Sequence, residues 1–172
     1  MNLNVEFGEI CQIVPALMPV DLSSGANTGD WVSLKNYQRA TVVILCSIGT
    51  AGDDITVTAQ QATAVAGTGA KDLAIIDRVY RKQGATAINA VGQYTLDAQT
   101  AAATWTNLTN AENELLITFD VMPEQLDTDN DFDCFNVSIA DVGTNAQLGC
   151  ALYLLYGARF GAGALLPSAI AD

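Results

Sequence analysis

Apolar and polar positions alternate with a period of two over several short stretches of this chain, the signature of half-buried strands. The clearest pair lies at residues 40–48 (ATVVILCSI) and 55–61 (ITVTAQQ). In the first, Val42, Ile44, Cys46 and Ile48 share a face; in the second, Ile55, Val57 and Ala59 point one way and Thr56, Thr58 and Gln60 the other. Gly49, Gly52, Asp53 and Asp54 supply turn chemistry between them. The pair therefore reads as a hairpin or its near relative.

The same period recurs at residues 114–121, with Leu115, Ile117, Phe119 and Val121 inward, and at 133–140, with Phe135, Val137 and Ile139 inward. Residues 73–81, 93–96 and 103–108 give further strands. Residues 147–160 (QLGCALYLLYGARF) are apolar on both faces, which predicts a central strand or one covered on both sides. Residues 67–70 and 83–91 read as loops, and residues 122–126 hold room for one helical turn. No stretch carries a long amphipathic helix, so an α/β fold is excluded. The pattern predicts an all-β protein, a jelly-roll or Greek-key β-sandwich formed by residues 1–160, with an extended C-terminal arm at 161–172.

Composition sharpens this picture. At 172 residues the chain is long enough for one domain with a proper core. Half of its residues are hydrophobic and 15% are charged, which argues against disorder. The net charge of −12 repels phosphate backbones and anionic membranes, so neither nucleic acid nor a membrane is an expected partner. No apolar run reaches the length of a spanning helix, and the start carries Glu6 and Glu9 where a secretory signal would be basic. Synthesis in the cytoplasm is expected. The charge is unevenly spread: no basic residue lies between Lys82 and Arg159, while acidic ones crowd residues 112–141. If folding preserves that segregation, the protein has an acidic face, solvated or docked.

Catalytic chemistry is thin. The chain has no histidine, the usual general base and metal ligand. No nucleophile elbow, phosphate loop or dinucleotide fingerprint is present. Asp53 with Asp54, and Glu112 with Glu114, are the pairs that a glycoside hydrolase would need to exploit. Cys11, Cys46, Cys134 and Cys150 are too widely spaced to predict a zinc site; Cys46 and Cys150, in apolar runs, read as small buried hydrophobes, and cytoplasmic synthesis argues for free thiols. Asp127, Asp129 and Asp131 begin like a calcium loop, but Phe132 stands where glycine is needed and Ser138 where glutamate is needed. They are weak metal candidates beside the plainer reading of an acidic turn. Trp31, Trp105 and Tyr94 with this acidic loop are the groups from which a carbohydrate-binding module would build its platform. No cofactor is expected.

The order of features resembles a family of tailed-bacteriophage virion proteins, the capsid decoration or cement proteins. The likeness runs through Val14-Pro15 and the Gly/Ser/Asn loop after it, WVSLKNYQRATVVI at 31–44 and GTAGDDITVTAQQA at 49–62. It continues in ELLITFDVMPEQLD at 114–127, LGCALYLLYGARF at 148–160 and the tail LLPSAI at 165–170. Residues 83–110 match nothing in it. The resemblance implies a non-enzymatic β-sandwich that sits on the capsid surface as a homotrimer, binds the major capsid protein and reaches its neighbours with terminal arms. A head–tail or tail-associated virion component is the alternative within the same class. The interface candidates are Leu165, Leu166 and Ile170, apolar residues in an irregular tail that need a surface to bury them. Lys35 and Arg39 join them as cations available to an acidic neighbour.

Overall fold

The fold is described from a computed structural model, over residues 6–47, 49–84, 87–107, 114–159 and 165–171. Among these, twelve strands follow one another. They are β1 (Cys11–Asp21), β2 (Asn27–Thr28), β3 (Val32–Ser33), β4 (Arg39–Cys46), β5 (Thr56–Ala62) and β6 (Lys71–Asp72). After them come β7 (Ile76–Gly84), β8 (Thr95–Ala102), β9 (Thr104–Thr106), β10 (Glu114–Val121), β11 (Cys134–Ile139) and β12 (Leu148–Tyr156). One antiparallel sheet has the order β1-β12-β4-β10-β7-β8. The other runs β2-β11-β5-β6, with β3 also on β11 and β9 also on β5.

The connections β1–β2, β3–β4, β4–β5, β10–β11 and β11–β12 all pass from one sheet to the other, and the first strand pairs with the last. That interleaving is a jelly roll, widened on one sheet by β7 and β8. The all-β expectation holds. The hairpin expected at residues 40–61 does not: β4 and β5 lie in opposite sheets. Their apolar stripes, Val42 and Ile44 against Val57 and Ala59, face inward from the two layers. A hairpin and a sheet-crossing arch bury the same alternate positions, so periodicity alone does not separate them.

β1 escapes the periodicity because Pro15 and Pro19 interrupt it. Both are tolerated because β1 is an edge strand, where a missing N–H costs no ladder bond. Its pairing with β12 shifts register twice, around Leu17. The helical turn expected near Pro123 is present as a 3-10 turn at Pro123–Gln125. β7 carries on to Gly84, into a stretch that reads as loop.

The two layers meet over a core built from the inward positions of β4, β10 and β12 on one side and β5 and β11 on the other. One polar group crosses it. The Tyr153 ring packs against Phe135 at 4.9 Å, and its hydroxyl accepts the backbone N–H of Val137 at 2.9 Å. This bond fills a gap in the second sheet, between the short pairings of β2 and β3 with β11. There the chain turns at Gly29, whose N–H donates to the Val137 carbonyl. A Cβ on Gly29 would lie 2.7 Å from that carbonyl oxygen and 3.0 Å from the Tyr153 hydroxyl, so no side chain fits.

Candidate interaction surfaces

The two sheets differ in what they show to solvent. β5 turns Thr56, Thr58 and Gln60 outward, a polar face. The six-stranded sheet does the opposite. Because paired residues in an antiparallel ladder point to the same side, its outward rows can be read from the register. One row runs Pro15, Leu152, Val43, Thr118, Tyr80 and Leu96. The next runs Cys150, Leu45, Leu116 and Lys82. Leu148 is 60% exposed and Leu152 36%. Among the described residues, the large apolar side chains left exposed, Leu165 and Ile170 apart, lie in this sheet, at Tyr94 just before β8, or in the N-terminal helical turn. Phe7 and Ile10 of that turn line a recess with Leu154 and Tyr156. β12 is therefore a central strand, as its composition predicts, yet beyond the N-terminal turn Leu148 and Leu152 on its outer face stay exposed.

That face is nearly neutral in a strongly acidic protein. At one end Arg39 pairs with Asp120 at 3.5 Å, and Asp120 also accepts from the Thr41 hydroxyl at 2.6 Å. At the other end lie Lys82, with its ammonium over the Tyr94 ring, and Glu114, which accepts from the backbone N–H of Ile88.

The acidic stretch does not form a segregated face. Lys71 meets the Asp127 carboxylate at 2.5 Å and lies over the Phe132 ring. Lys35, Asp133 and Arg159 line one recess with Leu34, Pro123 and Leu126. Basic residues distant in sequence are thus brought to the acidic loops, which corrects the expectation of segregated charge. Arg39, expected as an available cation, is engaged by Asp120.

Asp127 also accepts from Asn130, Asp129 lies in a 3-10 turn, and Asp131 takes the left-handed conformation at φ 64°. Turn geometry accounts for these aspartates, and among the described residues no three acidic or thiol groups converge to hold a metal ion. Trp105 is buried in the core, Trp31 packs over Gly67, and Tyr94 stacks edge-on against Tyr80, so the three aromatic groups form no common platform. Asp53 lies against Gly143. Glu112 is outside the described residues. The four cysteines form no disulfide, and burial pushes the Cys46 thiol up to about 12.

The C-terminal segment returns to the body of the protein. The Ser33 N–H donates to the Ala169 carbonyl at 2.8 Å, the Tyr37 hydroxyl donates to the Pro167 carbonyl, and Ala169 is buried. Leu165 and Ile170 on either side of these anchors are 86% and 61% exposed, and Leu166 is half-buried.

One carboxylate ties the sheet ends together. Asp21, at the end of β1, accepts from the N–H of Gln147 just before β12, and from the N–H and hydroxyl of Ser23. These bonds hold its pKa below the ordinary carboxylate value; Lys71 and then Asn130 do the same for Asp127. A depressed native pKa contributes stability that is present above the unfolded-state value near pH 4 and is lost as pH falls through the native one. Thermal melts should therefore show the melting temperature falling below about pH 4. Asp21→Asn should flatten that fall; an unchanged acid slope would dismiss the role of Asp21.

No family model matches the chain, and no curated protein matches it. Among solved structures the chain is similar to the SPBc2 prophage-derived protein YomS, with 10% sequence identity and a TM-score of 0.40, over 84% of this chain and 92% of that one. A likeness at that level carries no argument about function, and the interaction surfaces rest on the chain's own residues.

Proposed function

We propose that the chain is a structural virion protein that decorates and stabilises a tailed-phage capsid by binding the lattice of the major capsid protein. The resemblance in sequence supports this reading. The observation that carries the reading is the C-terminal segment: a backbone anchored at Pro167 and Ala169 that holds Leu165 and Ile170 out into solvent. An arm ordered in advance loses less entropy on docking than a free one. Burying two such side chains supplies about 3–6 kcal/mol before ordering costs, and repetition over a lattice multiplies a modest contact by avidity.

The test is occupancy. The protein should be present in purified virions in stoichiometric amount by quantitative mass spectrometry. Leu165→Asp with Ile170→Asp should lower its occupancy at least tenfold, the effect of about 1.4 kcal/mol, while leaving the melting temperature unchanged. Absence of the wild-type protein from virions would sink the reading, and full occupancy by the double variant would remove the arm from it.

A further inference from the structure

We infer that the outer face of the six-stranded sheet is a self-association surface, occupied by the same face of a second copy. Three observations carry this. The first is its chemistry: the central rows of the face are apolar, with Leu152, Val43, Leu45 and Leu116 side by side on adjacent strands. Two such faces stack as the two layers of a sandwich do, about 10 Å apart.

The second is charge. Copies that each carry −12 repel one another, so they can meet only where that charge is absent. Strand alternation places Arg39, Arg78 and Lys82 on this face, with Asp21, Asp120 and Glu114 as acidic counterparts and Asp77 beside Arg78 at the register shift in β7. Three of the chain's seven basic residues thus meet four of its nineteen acidic ones on this face, and Glu6 and Glu9 lie at the N-terminal rim. A strongly cationic partner would call for a large surplus of carboxylates among the apolar rows, and the face itself carries an excess of one.

The third is size. Six strands about 4.8 Å apart and about eight residues long cover roughly 700 Å². A stable interface takes about 800 Å² from each partner, so a second copy of the face, with the N-terminal turn at its rim, supplies what a dimer needs. The contact is two-fold and self-complementary. It is separate from the three-fold assembly that the sequence resemblance implies, and it does not involve the C-terminal segment.

Sedimentation equilibrium on the full chain reads the outcome. The wild type should show a species of twice the 18.1 kDa monomer mass. Leu45→Lys with Leu152→Lys should weaken association at least about a hundredfold, the effect of two leucine side chains lost from a buried contact. Leu165→Asp should leave it unchanged. A wild type that stays monomeric to high micromolar concentration overturns the inference, as does a trimer indifferent to the two lysines. A monomer that loses capsid binding on the same substitutions also overturns it, and assigns the face to another protein. A second readout needs no variant. Cys150 lies on this face partly exposed, while Cys11, Cys46 and Cys134 are buried. Maleimide labelling of Cys150 should slow several-fold from low to high micromolar protein; a rate independent of concentration counts against the second copy.

Discussion

Tyr153→Ala should destabilise the protein by about 3–5 kcal/mol, as expected for an aromatic side chain removed from a packed core. Tyr153→Phe should cost about 1–3 kcal/mol, because it keeps the ring and leaves the Val137 N–H without its acceptor. The difference between the two separates packing from the cross-sheet hydrogen bond. The ring packs on Phe135 in the opposite layer, so alanine would open a cavity between the sheets. The hydroxyl stands in for a ladder partner where β2 and β3 break at Gly29, and the close approach of Gly29 leaves no room for a shifted strand to replace it. Denaturant titrations should show both variants with an unchanged slope and lower midpoints. Tyr153→Phe at wild-type stability would mean that the Val137 N–H finds another acceptor. Alkaline pH gives an independent check. Burial pushes the Tyr153 phenol well above its ordinary value. The unfolded phenol ionises near pH 10 while the folded one stays neutral. Stability should therefore fall as pH rises past that point, and Tyr153→Phe should lessen the fall.

Tyr153 also shows what sequence patterns reveal and what they do not. The alternation of β10 is plain because it buries one face within a regular ladder, and Leu115 to Val121 fall where the period puts them; in β11 Phe135, Val137 and Ile139 also fall in period, although Cys134 and Asn136 on its other face are buried too. The apolar run of β12 shows that both faces avoid water, yet it does not say whether the outer one is covered by the chain itself or left open. Leu148 and Leu152 are open. The pairing of strands is a long-range matter, so the turn at residues 49–54 is compatible with a hairpin and with a crossing between layers. Pro15 and Pro19 hide β1, because its strand character comes from its place at the sheet edge rather than from its residues. Charge along the sequence misleads for the same reason: Lys71 reaches Asp127 across 56 residues. Of the proposed contacts, Leu165 and Ile170 are legible as apolar residues in an irregular tail, whereas their anchoring through Ala169 and Pro167 is not.

That anchoring predicts the effect of Tyr37. Its ring is fully buried in the core, and its hydroxyl donates to the Pro167 carbonyl. Tyr37→Ala should cost about 3–5 kcal/mol in global stability and release the C-terminal segment at the same time. Tyr37→Phe keeps the ring and removes only the donor, at about 1 kcal/mol, so it isolates the anchor from the core. The probe is the Ser33 amide, which donates to Ala169 across the docked segment. Its hydrogen exchange should accelerate in Tyr37→Phe, while amides at the centre of β10 keep wild-type protection. Binding to the capsid should weaken by the fraction of molecules whose segment has come undocked, because the apparent affinity scales with the competent population. Ser33 exchange at the wild-type rate in Tyr37→Phe would show that Ala169 alone holds the segment. Faster exchange with undiminished capsid binding would show that Leu165 and Ile170 act, if at all, from an unanchored arm, and the advantage of pre-ordering would be lost. The two measurements together decide whether the fold presents these side chains or merely tethers them.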